Sequence, residues 1–156
     1  MASNHSKRFP AEAHWIVQTI QELQRDNWPL CAPNGKPTLG VIAPYRAQVA
    51  LLRRLLERAC AGIVGPGFWH DVVDTVDRFQ GDERDIILFS LCLWPGADSV
   101  GRIYEDERRI NVALSRAKRK LWVVGSLAAM ERIPALQALG RHVRAHPREG
   151  LLLEAE

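Results

Sequence analysis

The chain is poor in cysteine: three in 156 residues (Cys31, Cys60 and Cys92), none spaced as C-x-x-C. An odd, scattered set builds neither a disulfide framework nor a zinc knuckle. No run approaches the roughly 18 uncharged apolar residues of a membrane span, and no apolar signal-peptide core opens the chain. These absences imply an intracellular, cytoplasmic protein that makes no use of a membrane. Charge excess is also small: 21 Lys and Arg against 18 Asp and Glu give +3. Such a balance permits a nucleic-acid partner without demanding one.

Phosphate-cradling loops are missing as well. There is no G-x-x-x-x-G-K-[ST]; Gly35-Lys36 lies between Pro33 and Pro37 and has no upstream glycine. Alone, the chain is therefore not expected to hold the β,γ-phosphates of a nucleotide. Metal-ligand patterns are absent too. His142 and His146 have no Glu between them and no third ligand. Along a strand, Asp71 and Asp77 would face one way and Asp74 the other, so no metal site is expected. The five tryptophans are scattered and read as packing residues.

What is present is ordinary globular material, 47% hydrophobic and 25% charged, enough for one domain with a proper core. Residues 1–10 carry no periodicity and read as a disordered lead-in. Ala13, Ile16, Val17, Ile20 and Leu23 recur at helical spacing from Ala11 to about Asp26, with Glu12 in the first turn. After a loop over 27–37, Leu39 to Ala43 reads as a buried strand. Tyr45 to Cys60 reads as an amphipathic helix with Arg53, Arg54 and Arg58 outward. Strands are expected at Val72–Val76, Asp85–Leu93 and Leu121–Gly125, with a loop at Trp94–Val100. Helices are expected at Glu105–Lys118, just after Ser126, and at Pro134–His146. Apolar strands without alternation, joined by helices or long crossovers, predict a three-layer α/β/α domain around a mainly parallel sheet. The domain is expected over residues 11–147, with a tail at 148–156.

Three segments carry candidate chemistry. In Thr75 to Ser90 (TVDRFQGDERDIILFS), Gly81 permits a tight turn, and Gln80 and Glu83 supply acceptors suited to sugar hydroxyls or an ordered water. A plain polar connection between strands accounts for it equally well. In Asp106 to Lys118 (DERRINVALSRAK), Arg109 and Arg116 are seven apart and project from one helix face. A guanidinium held that way is a rigid fork for phosphate oxygens, although solvated arginines would show the same spacing. In Val41 to Gln48 (VIAPYRAQ), Tyr45 and Arg46 follow a strand end and could stack on and pair with a nucleic-acid strand, or simply begin a helix.

In this order, the three segments resemble motifs IV, V and VI of the second RecA-like domain of superfamily 1 helicases. They are similar to the branch that holds the nonsense-mediated-decay RNA helicase and the Dna2 helicase-nuclease. The likeness runs from about Glu12 to Leu127. It implies an RecA-like fold of P-loop NTPase type without its own P-loop, serving an ATP-dependent DNA or RNA helicase and inactive as an ATPase alone. By that resemblance Arg116 is the arginine finger that reaches the γ-phosphate. Gln80, Gly81, Glu83 and Arg109 face the nucleotide, and Pro44, Tyr45, Arg46 and Thr75 contact the strand. ATP with Mg2+ is then bound mainly by a first RecA-like domain, the chain's implied partner besides single-stranded DNA or RNA. Two departures stand out: Ala43 occupies a position where relatives carry Thr or Ser, and Ser115 replaces the commoner Thr. The alternative is a stand-alone nucleic-acid or protein-binding adaptor with a helicase-like fold, or a subunit that supplies its arginine to another protein.

Overall fold

Four parallel strands form the centre, and their order is set by which apolar runs can be buried on both faces. The computed structural model describes residues 7–93 and 102–150. Helix α1 (Pro10–Arg25) leads, with Pro10 at the first helical position where its missing N–H costs nothing. Strand β1 (Leu39–Ile42) is buried at every residue, and α2 (Arg46–Ala59) follows it. A short α3 (Phe68–Val72) runs straight into β2 (Val73–Asp74), and a 3-10 turn (Val76–Phe79) leads to β3 (Arg84–Ser90). After a second 3-10 turn (Arg102–Glu105) come α4 (Glu107–Ser115), β4 (Ala117–Val124), α5 (Leu127–Met130) and α6 (Pro134–Ala145).

The sheet order is β2-β1-β3-β4, all parallel. The β1-to-β2 and β3-to-β4 crossovers run in opposite directions along the sheet, and right-handed connections then put α2 and α4 on opposite faces. The two apolar clusters follow from this. On one face Leu39, Val41, Ile86 and Leu88 pack against Ile16 and Ile20 of α1 and Leu52 and Leu56 of α2. On the other, Ile42, Ile87 and Phe89 pack against Ile110 and Ala113 of α4 and Leu136 of α6. Alternate residues of each central strand thus serve alternate cores, which is why the runs are continuously apolar. Each such fully buried side chain is worth roughly 1.5–3 kcal/mol. Among the described residues no helix is long and apolar enough to cross a membrane.

Several expectations need correction. The strand foreseen at Val72–Val76 shrinks to Val73–Asp74, flanked by α3 and a 3-10 turn. Asp71, Asp74 and Asp77 therefore lie on three different elements, and the alternation reasoning does not apply to them. The helix foreseen to Lys118 ends at Ser115; Arg116 is its C-cap and Ala117 already belongs to β4. Edge strand β4 tolerates the polar Lys118-Arg119-Lys120 run because, among the described residues, one of its sides is unpaired. Arg53 is not turned to solvent: its guanidinium donates to Val73 O at 2.7 and 3.0 Å and lies 3.4 Å from Asp74. The Trp94–Val100 loop lies outside the described residues, as do the first six residues and the last six. Ser126 does cap α5, accepting from Ala129 N at 3.3 Å.

Candidate functional site

The candidate residues divide between the two ends of the sheet. At the carboxyl ends of β1 and β2, Ala43 N donates to Asp74 O at 3.2 Å, which brings Pro44 and Tyr45 beside Thr75. Tyr45 is the N-cap of α2 and Arg46 its exposed first residue. The Tyr45 ring is half-buried with Lys7 Nζ 5.5 Å over its centroid. Burial, with Cys92 nearby, pushes its phenol above the ordinary range, so it stays neutral at physiological pH. Thr75 N is held by Asp74 Oδ1 at 2.8 Å.

A buried polar cluster underlies this end. Ser90 Oγ and Cys92 N donate to one oxygen of Glu12, at 2.5 and 2.9 Å. Gln48 Nε2 donates to Ser90 Oγ at 3.3 Å and to Phe9 O at 3.0 Å, and Tyr104 OH donates to Leu91 O. Burial pushes the Glu12 carboxyl up to about 7, against partial relief from the Ser90, Cys92 and Leu93 hydrogen bonds. Cys92 takes a left-handed backbone, φ 54°, and burial raises its thiol well out of reach of ionisation. Sequence reasoning saw Glu12 only as a first-turn acid; partners 78 and 80 residues away leave no local signal.

At the other end, the 3-10 turn delivers the chain to the amino end of β3. Gly81 has φ +78°, a conformation in which a side chain would be strained. Phe79, just ahead of Gln80, sits against Gly40 of β1, where a Cβ would meet its ring at 2.6 Å. Arg84 N donates to Arg116 O at 3.0 Å, so Arg116 enters β4 beside the Gln80–Glu83 turn. The Arg116 guanidinium is folded onto its own helix: Nε donates to Val112 O at 3.2 Å and Nη2 to Ser115 Oγ at 3.1 Å.

A cleft of about 250 Å³ opens between the 3-10 turn and α4, lined by Asp77, Gln80, Asp106, Arg109 and Val112 among others. Arg109 lies 3.8 Å from Asp77 and 3.9 Å from Asp106, half-exposed, so its charge is already balanced. From sequence, Asp77 is weighed only as a metal ligand and Asp106 has no role. Asp106, three residues ahead of Arg109 and capping α4 through Arg108 N, had a readable signature; Asp77 had none. Gln80 and Arg109 thus share the cleft and Gly81 adjoins it, whereas Glu83 is exposed and does not line it. Arg116 does not line it either, but Val112 links the two: its carbonyl holds Arg116 and its side is part of the cleft wall. Among the described residues no group of three His, Cys, Asp or Glu side chains is placed to hold a metal ion.

The parallel sheet, the two helical layers and these motif positions define a RecA-like α/β domain. Residues 1–128 match the model of a family described as an AAA domain. The chain is similar to the DNA replication ATP-dependent helicase/nuclease DNA2 of Mus musculus, 39% identical over 124 residues, which is 80% of this chain and 10% of that protein. It is also similar to the DNA polymerase alpha-associated DNA helicase A of Saccharomyces cerevisiae, 36% identical over 129 residues (81% of this chain, 17% of that one). Helicase sen1 of Schizosaccharomyces pombe is 35% identical over 121 residues, 77% of this chain and 7% of that one. The chain belongs to this AAA-domain family, as a C-terminal RecA-like domain of superfamily 1 helicases in the Dna2 and nonsense-mediated-decay branch. It spans about a tenth of the length of the first DNA2 relatives it matches.

Proposed function

We propose that this chain works as the C-terminal RecA-like half of an ATP-dependent helicase on single-stranded DNA or RNA. Arg116 is its arginine finger. It leaves Val112 O and Ser115 Oγ, extends across the cleft between the two RecA-like halves, and neutralises charge that develops on the γ-phosphoryl group. Glu83 accepts from ribose hydroxyls, and Gln80, Gly81 and Arg109 line the nucleotide side. Pro44, Tyr45, Arg46 and Thr75 grip the strand at the opposite end of the sheet. Mg2+ and the β,γ-phosphates belong to the P-loop half, since the described residues of this chain offer neither a carboxylate cluster nor a glycine-rich cradle. An intracellular setting, where ATP and single strands coexist, is part of the same proposal, as is a domain extending over residues 11–147.

The observation that supports the reading best is the Arg84 N to Arg116 O bond, which joins the Gln80–Glu83 turn to the finger at one sheet end. The test is Arg116→Ala, with the P-loop half present in the same polypeptide or added in trans. ATP turnover should fall by about 10³–10⁵ while single-strand affinity stays within about twofold of wild type, a phosphate-facing residue being remote from the strand grip. Wild-type turnover in that variant would sink the reading. One observation favours the adaptor reading instead: Arg109 lies beside Asp77 and Asp106, and Arg116 donates to Val112 O and Ser115 Oγ, so both find partners within this domain. An adaptor would bind its strand identically with and without the P-loop half and ATP.

A further inference from the structure

Arg84 stands out as a charged side chain only 10% exposed, although it lies at the rim of the sheet. Taking a guanidinium out of water is unfavourable unless its donors are matched. Here the matching is specific. Nη1 lies 2.6 Å from Asp82 Oδ2 and donates to Glu83 O at 3.3 Å, and Nη2 donates to Asp71 O at 3.3 Å. The guanidinium carbon sits 5.5 Å over the Phe79 ring, and Nε is buried without a partner among the described residues. Every residue it grips around the turn brackets Gln80 and Gly81: Phe79 on one side, Asp82 and Glu83 on the other. Its own backbone N–H is the one bonded to Arg116 O. The strand register slips immediately after it, from Arg84↔Ala117 to Ile86↔Lys120. Irregularities of this kind re-aim neighbouring side chains next to sites.

We propose that Arg84 is a positioning residue that fixes the Gln80–Glu83 turn in register with Arg116, so that both halves of the nucleotide-facing set move as one body. The inference rests on the function proposed above. Among the described residues the turn has φ +78° at Gly81 and two internal backbone bonds, a long one from Gln80 N to Asp77 O at 3.4 Å and an ordinary one from Asp82 N to Phe79 O at 3.1 Å, so little of its own backbone ties it to the finger. The side-chain fork supplies what those bonds do not: Nη1 holds Asp82 and Glu83 of the turn while Nη2 anchors to Asp71 O, with a flat face against Phe79. Lys could supply the charge but not the fork.

The experiment compares Arg84→Gln, Arg84→Lys, Asp82→Asn and the double variant Arg84→Gln/Asp82→Asn, with Arg116→Ala alongside. ATP turnover is measured with a single-stranded oligonucleotide and with the P-loop half in cis or in trans. Displacement of a catalytic constellation by about an ångström can cost 10²-fold, so kcat should fall roughly 10- to 100-fold in Arg84→Gln with KM for ATP changed less than about threefold. Arg84→Lys should be intermediate. The double variant should be no worse than Arg84→Gln, because both substitutions cut one contact. Amide hydrogen exchange on the 156-residue chain should quicken at Gln80, Asp82 and residue 84, whose N–H groups make the turn and register bonds, while β1 stays protected. Should Arg84→Gln fail to fold, Asp82→Asn carries the test, since Asp82 is exposed and its loss leaves the core intact. Wild-type kcat in Asp82→Asn and Arg84→Gln, with Arg116→Ala inactive, overturns the role of Arg84 and leaves the proposed function standing. Active Arg116→Ala overturns both. A kcat loss that tracks the unfolded fraction and vanishes on cooling reduces Arg84 to a structural residue and overturns the proposal.

Discussion

The two ends of the sheet are built from different interactions. At the carboxyl end, Glu12, Gln48, Ser90, Cys92 and Tyr104 form a buried hydrogen-bonded cluster linking α1, α2 and β3, with Tyr45 and Thr75 above it. At the amino end, Arg84 pairs with Asp82 beside the Gln80–Glu83 turn, and between the 3-10 turn and the start of α4 Arg109 lies near Asp77 and Asp106 at half-exposed positions. Buried networks are hardly screened by salt, whereas the half-exposed Arg109 pairs are weak and screened.

The ends should also answer pH with opposite signs. Folded Glu12 keeps its proton to about 7, whereas its ordinary value is 4.5. Between these values the folded state binds more protons than the unfolded chain, so stability falls as pH rises. The contribution is most favourable below 4.5 and is lost by about 7. Over that window the change is about 3 kcal/mol. Asp82 goes the other way: the Arg84 hydrogen bond holds its carboxyl below the ordinary 3.8, so its contribution is present above that value and is lost on acidification. The largest effect expected here is therefore in Glu12→Gln, read by urea unfolding at several pH values. The variant should be more stable than wild type at pH 8 and nearly equal at pH 5. A difference that does not change with pH would remove the contrast between the two ends.

Much of the fold was readable locally, and the failures share one physical cause. Helix faces, the apolar runs at Leu39–Ala43 and Asp85–Leu93 and the Ser126 cap are set by near neighbours in sequence, so periodicity and capping reveal them, although the strands themselves end at Ile42 and Ser90. Glu12, Arg53 and Arg109 look like surface charges on helices because their partners Ser90, Val73 and Asp77 lie on other elements. Val72–Val76 reads as strand because its β-branched residues cannot report that β2 is an edge cut short after two residues. For the site, the motif order singles out two candidate residue sets. It did not reveal that they sit at opposite ends of the sheet, because that depends on the direction in which the 3-10 turn crosses it.

Gly40 offers a smaller perturbation that separates the ends. A methyl there meets Phe79 at 2.6 Å and Ile87 at 2.9 Å, so the Phe79 ring, which leads into Gln80, must move. Overpacking of this kind costs about 1–3 kcal/mol. Gly40→Ala should lower the unfolding midpoint and raise hydrogen exchange at 80–83, and Phe79→Leu in the same chain should recover part of both. Single-strand affinity should not follow. If it drops in step with stability, the two ends are one cooperative unit and the division drawn between them is wrong.

The smallest expected effect lies at Tyr45. A base stacked on an exposed aromatic contributes about 1–3 kcal/mol, but this ring is half-buried and already has Lys7 over one face. A strand must share or displace that cation, which puts Tyr45→Ala at the low end, about 1 kcal/mol, or roughly fivefold in affinity. Tyr45→Phe should bind as wild type, because stacking uses the ring and the phenol ionises far above physiological pH. Anisotropy of a labelled oligonucleotide on the chain alone measures both variants. Strand-independent ATP turnover, with the P-loop half supplied, should be the same in all three proteins. A fivefold loss in affinity with that turnover intact is the mirror image of Arg116→Ala. Equal binding by Tyr45→Ala and wild type would remove Tyr45 from the grip and leave Thr75, Pro44 and Arg46 to carry it.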